Sequence, residues 1–213
     1  AFEFPKEEVK GGVTAAGVHD LKYFGVEITS KRLAFLLDAS FSMRDEMDVV
    51  SDPSKKTEPK KDAPAATRAR KIDVMKREMV RLVTDLPKET LLNIITFAAN
   101  YRAWQETLQP LDTGGREKVL GFVRGIEMGF GTNVFDTLEF ALKDKRVDTL
   151  FLLTDGIPMG GKYTDAPSIL REVQVLNRVR GVVINCIAFG EESDFLKELA
   201  LQNGGVYRFV DRY

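Results

Sequence analysis

Three hard oxygen donors stand at spacing two in Asp38-Ala39-Ser40-Phe41-Ser42, directly behind the apolar run 33–37. Side chains of an extended chain alternate with period two. If the backbone stays extended beyond the run, Asp38, Ser40 and Ser42 therefore face one way and can converge. A donor set of oxygens, without His or Cys, suits Mg²⁺, Mn²⁺ or Ca²⁺ better than zinc or copper. The plainer use of the same residues is local, because aspartate and serine side chains commonly cap the turn after a strand. A second polar cluster, Met128-Gly129-Phe130-Gly131-Thr132-Asn133, opens a helical pattern. Thr132 or Asn133 can serve there as a helix cap, or aim a polar group outward into a cleft. The third cluster repeats the logic of the first: the apolar run 149–153 breaks at Thr154-Asp155-Gly156, another carboxylate at another strand end.

The elements that must hold these groups follow from periodicity. Short apolar runs at 33–37, 91–97, 149–153 and 182–189 read as buried parallel strands, and 206–210 as a last one. Between them the period turns helical. Ile72, Met75, Met79, Leu82, Val83 and Leu86 make one apolar face before Pro87 ends it, and helices are expected over 114–127, after Asn133, from near Pro167, and over 194–202. Alternating strands and helices predict an α/β fold, doubly wound, with a mainly parallel open sheet, helices on both faces and one short antiparallel edge strand at 101–104. In such a sheet ligands bind outside the carboxyl ends of the strands, where strand order reverses. Residues 1–30 are expected to be an irregular lead-in with an accessory strand, 21–30, pairing beside the core strand. Residues 31–213 form the domain itself, and 44–70, rich in proline, lysine and acids, is expected to be a mobile insertion.

Composition narrows the classes. In 213 residues, 31 Lys and Arg offset 32 Asp and Glu, so no global field draws nucleic acid or an anionic membrane. No apolar stretch reaches the roughly 18 residues needed to span a bilayer, and no basic-then-apolar leader opens the chain. Membrane insertion is not expected. The single cysteine, Cys186, lies inside an apolar run and reads as a small buried hydrophobe. His19, the only histidine, reads as a surface or cap residue.

Taken together and in this order, Asp38-x-Ser40-x-Ser42, Thr132 in its glycine turn and Asp155 in Thr-Asp-Gly resemble the von Willebrand factor type A domain over about residues 30–211. All five positions of that family's metal-ion-dependent adhesion site are filled. The general form is similar to bacterial members. The resemblance implies that Ser40, Ser42 and Thr132 contact a cation, Mg²⁺ or else Mn²⁺ or Ca²⁺, with Asp38 and Asp155 binding directly or through water. Two departures alter the rim of the site: Phe41 stands where the family usually has glycine, and the excursion 44–70 is long.

The expected function is a metal-dependent binding module, not an enzyme, that captures an Asp or Glu of a partner protein. Phe41 would pack on that partner's apolar surface, or else fold back onto a core helix. The alternatives are a metal-dependent hydrolase of phosphate or ester substrates, and a scaffold whose metal only fastens loops. No phosphate-loop or dinucleotide glycine pattern is present. By the resemblance the chain is expected to belong to a larger multidomain protein or complex, in an extracytoplasmic setting.

Overall fold

The structure is a computed structural model and describes residues 21–49 and 67–213. The expected lead-in, His19 and the middle of the expected insertion lie outside the described residues.

The main sheet is built around strand β3 (Arg32–Asp38). Two further short strands precede it, β1 (Lys22–Tyr23) and β2 (Val26–Glu27), and two follow it, β4 (Glu46–Val49) and β5 (Thr67–Arg70). Next come helix α1 (Lys71–Asp85) and strands β6 (Leu91–Phe97), β7 (Tyr101–Ala103) and β8 (Gln109–Pro110). The rest alternates: α2 (Thr113–Arg124), α3 (Val134–Lys143), β9 (Thr149–Thr154), α4 (Ala166–Asn177), β10 (Val183–Phe189), α5 (Asp194–Gln202) and β11 (Tyr207–Val210). The strand order is β11-β10-β9-β3-β6-β7. β3 pairs in parallel with both β6 and β9, and β7 and β8 run antiparallel to β6. From β3 the chain builds outward through β6, then returns to the other side of β3 with β9. The reversal point therefore lies between β3 and β9, the two strands that end in Asp38 and just before Asp155.

Period-two alternation divides β3 between two cores. Leu33, Phe35 and Leu37 join Phe151 and Phe189 beneath α1 and α2, while Ala34 and Leu36 join Leu150 and Leu152 beneath α3, α4 and α5. Phe35 and Phe151 stack across β3 and β9 at 4.9 Å. Burial on both faces explains why these strands read as unbroken apolar runs.

Two stretches differ from expectation. Residues 21–30 do not pair beside the core strand: β1 and β2 fold on each other as an antiparallel hairpin. The turn takes Phe24 at φ 47° and Gly25 at φ 81°, and two successive residues in the left-handed region suit a tight hairpin turn. Tyr23, Phe24 and Val26 are then buried as a lid over the first core. Nor is the stretch after Ser42 without regular structure at its ends. Phe41–Arg44 forms a 3₁₀ turn, and β4 pairs antiparallel with β5 as a ribbon leading directly into α1.

Candidate metal centre

Asp38 closes β3 at full burial. Its Oδ1 accepts the Ser40 amide at 2.7 Å and its Oδ2 accepts the Thr154 hydroxyl at 2.5 Å. Burial is the largest influence on this carboxyl and pushes its pKa up to about 6, the Ser40 and Thr154 hydrogen bonds opposing the rise and the nearby Asp155 charge adding to it.

The serines converge by a route other than the expected extended chain. Ser40 is extended, but Phe41–Arg44 coils into the 3₁₀ turn, held by Met43 N to Ser40 O at 3.1 Å and Asp45 N to Ser42 O at 3.0 Å. The turn brings the Ser40 and Ser42 hydroxyls to 2.9 Å from each other. Ser42 Oγ donates in turn to Asp155 Oδ1 at 2.6 Å, which ties the loop after β3 to the loop after β9.

Thr132 is buried at the head of α3. Its backbone exchanges hydrogen bonds with Met159 at 2.7 and 2.9 Å, so the loop after β9 holds it. A β-carbon placed on Gly156 would stand 3.5 Å from Thr132 Oγ1 and 4.0 Å from Asp38 Oδ2, so both groups face one small space beside Gly156. The cap of α3 is Asn133, whose side chain accepts the Asp136 amide at 3.2 Å. That leaves the Thr132 hydroxyl free of capping duty. It makes no hydrogen bond to Asp38, Ser40, Ser42 or Asp155.

All five expected residues thus gather at the carboxyl ends of β3 and β9. Among the described residues no three His, Cys, Asp or Glu side chains meet, so the donor set is two carboxylates and three hydroxyls. This set fits a hard cation. Neighbouring oxygens at about 2.0–2.1 Å from an octahedral Mg²⁺ lie about 2.8–3.0 Å apart, a span that includes the Ser40–Ser42 separation of 2.9 Å. Zinc's usual nitrogen and sulfur ligands are absent from the five.

Three features of the centre were not expected from the sequence. Lys71, first residue of α1, reaches Asp155 Oδ2 with its ammonium at 2.8 Å. Its sequence signal was a cation at a helix start that the dipole disfavours. Thr154 fastens Asp38, and only its position before Asp155 hinted at it. The third is the company of Phe130, Ile157 and Met159 beside Phe41 at the rim. Phe41 does not fold onto a core helix: it is partly exposed and meets Phe130 edge to face at 4.4 Å, and Phe130, Ile157 and Met159 are largely exposed around the same loops.

A model of the von Willebrand factor type A domain matches residues 62–209. Human von Willebrand factor A domain-containing protein 3B is 28% identical over 148 residues, covering 66% of this chain and 11% of that protein. Human inter-alpha-trypsin inhibitor heavy chain H4 is 29% identical over 160 residues, covering 66% and 16%. The chain thus spans less than a fifth of either relative. Among solved structures, a von Willebrand factor type A protein from Catenulispora acidiphila superposes with a TM-score of 0.63 at 17% identity, over 87% of this chain and 40% of that one. Proximal thread matrix protein 1 of the mussel byssus, described with a zinc-occupied MIDAS motif, gives 0.58 at 19% identity, over 86% and 43%.

Proposed function

Because the chain belongs to the von Willebrand factor type A domain family, whose relatives suggest a protein-interaction module, we propose that its five oxygen-bearing residues form a complete metal-ion-dependent adhesion site that captures a carboxylate of a partner protein. The observation that carries this reading is the Ser40–Ser42–Asp155 hydroxyl and carboxylate chain, which joins two strand ends at the reversal point of the sheet. Ser40, Ser42 and Thr132 would hold the ion, with Asp38 and Asp155 bound to it directly or through water. The bound ion, Mg²⁺ or else Mn²⁺ or Ca²⁺, would supply a Lewis-acidic position open to an outside Asp or Glu.

The surrounding residues support a protein ligand. Phe41, Phe130, Ile157 and Met159 are exposed apolar side chains around an otherwise polar centre, and contiguous apolar rims of this kind mark protein contacts. Phe41 and Phe130 are the residues proposed to pack on the partner.

Hydrolysis fits the site less well. Both oxygens of Asp38 already accept hydrogen bonds, both oxygens of Asp155 are engaged, and no histidine is found among the described residues. Each carboxylate is thus committed to its partners in the fold and, on this reading, to the ion, which leaves no dedicated general base for a substrate. The module would be one part of a larger multidomain protein of bacterial type acting outside the cytoplasm. Its partners would be neither nucleic acid nor the bilayer interior, and no helix among the described residues is long and apolar enough to cross a membrane.

Calorimetry with Mg²⁺ and Mn²⁺ on wild type and Asp38→Ala tests the proposal. We expect saturable heat that Asp38→Ala abolishes, and capture of an acidic peptide that EDTA reverses. Equal heats from the two proteins would remove the metal assignment. Metal-dependent phosphatase or esterase turnover, lost in Asp38→Ala and accompanied by peptide binding indifferent to EDTA, would establish the enzyme instead.

A further inference from the structure

We infer that Lys71 is a built-in counter-cation that sets the charge of the loaded centre, weakening its hold on the metal and strengthening its hold on an anionic ligand. The inference rests on the metal-binding reading above.

Three separate features place the ammonium deliberately. Lys71 is the first residue of α1, where the positive end of the helix dipole disfavours a cation. Its side chain is only 11% exposed and that of Asp155 is not exposed at all, an uncommon burial for a lysine unless it is paired. The third feature is the wall behind it. Gly190, immediately after β10, sits at φ 91°, and a β-carbon there would stand 2.7 Å from Lys71 Cε and 2.9 Å from Nζ. The strand end is therefore bare of a side chain where the lysine lies.

Formal charge gives the consequence. Asp38 and Asp155 contribute two negative charges and Lys71 one positive, so the centre stands at −1 before a divalent ion enters and at +1 afterwards. Without Lys71 the loaded centre would be neutral. An ammonium on Asp155 repels the incoming ion and occupies one of the oxygens that could reach it. Like charges within a few ångström in a partly buried site are worth on the order of tenfold or more in affinity. The same surplus positive charge, in a place poor in water, favours an outside carboxylate over a neutral ligand. One side chain moves the two affinities in opposite directions.

The test titrates Mn²⁺ by calorimetry into the 213-residue chain as wild type, Lys71→Met, Lys71→Gln and Lys71→Arg. A short acetylated peptide with one aspartate is then titrated onto each metal-saturated protein. We expect Lys71→Met, which keeps most of the aliphatic stem, to bind Mn²⁺ about tenfold more tightly and the peptide about tenfold more weakly. Lys71→Gln should do the same, and Lys71→Arg should stay near wild type. A lysine that only braces the fold would lower both affinities together, and that result overturns the inference. So does native-like Lys71→Met or Lys71→Gln with unchanged Mn²⁺ affinity, and if wild-type binding is then still lost in Asp38→Ala, the metal-binding reading survives alone. Absence of Mn²⁺ binding from all four proteins removes both. If Lys71→Met does not fold, the Lys71→Gln comparison decides.

Discussion

Asp38, proposed above to serve a metal, costs the metal-free fold something. Its folded pKa is pushed up to about 6 by burial, against an ordinary aspartate value of 3.8. Between those values the folded state still holds the proton and the unfolded chain has released it. Without metal, the contribution of Asp38 to stability is therefore greatest below about pH 4, falls as the pH rises toward 6, and levels off above it. The span is on the order of 2–3 kcal/mol, since each pH interval of one between the two values is worth about 1.4 kcal/mol. Urea denaturation in EDTA at pH 5 and 7 should show wild type losing stability on going to pH 7 and Asp38→Asn losing much less. Parallel curves for the two proteins would mean that Asp38 meets no such desolvation.

Among the elements, the β1–β2 hairpin is fastened to α1 by a buried carboxylate and its guanidinium partner, for Arg81 also donates to the Lys22 carbonyl at 2.6 Å. Glu78 accepts the Phe24 amide at 3.4 Å and the Arg81 guanidinium at 2.7 and 2.8 Å, and it also receives the Tyr213 hydroxyl. One side chain thus ties the hairpin and Tyr213 to the helix that begins with Lys71. Removing it leaves the Phe24 amide and the Tyr213 phenol without their acceptor, while Arg81 keeps only the Lys22 carbonyl and Asp85. Glu78→Ala should cost about 3 kcal/mol, and thermal melting should fall by roughly 6–12 °C for a domain of this size. A change under about 2 °C would show that the apolar contacts and the Arg81–Lys22 bond hold the hairpin without Glu78. Glu78 also marks the limit of what the sequence makes legible. The strands and their order of appearance were readable because burial on both faces writes apolar runs into β3, β6, β9 and β10, and Asp38 and Asp155 were readable because each run stops at a carboxylate. The hairpin was not, because Tyr23, Phe24 and Val26 would have suited a sheet edge equally well, and the choice lies with the backbone at Phe24 and Gly25. The 3₁₀ turn was missed for a related reason: serines at spacing two look alike whether the chain is extended or tightly coiled. Lys71 and Glu78 were hidden because charged residues inside an amphipathic helix usually face water, and only the packing shows that these two do not.

At the scale of the whole molecule, the centre and the global stability are one equilibrium if the ion binds only the folded chain. At free Mg²⁺ of 100 times the dissociation constant, binding adds about 2.7 kcal/mol, or roughly 5–10 °C in melting temperature. Scanning fluorimetry from EDTA to about 10 mM Mg²⁺ should show this rise in wild type and not in Asp38→Ala. A flat wild-type response to both Mg²⁺ and Mn²⁺ would argue against a site of this kind. The bonds that assemble the centre, Ser42 to Asp155 and Thr154 to Asp38, close loops of 113 and 116 residues. During synthesis from the N-terminus, Asp38 and both serines leave the ribosome long before their partners exist. If the centre binds as proposed, competence arrives late, when β9 and Asp155 are made and β9 seats itself beside β3. On the proposed reading, a chain that stops short of Asp155 would be silent toward a partner, so a partner would meet only molecules in which β9 has joined β3.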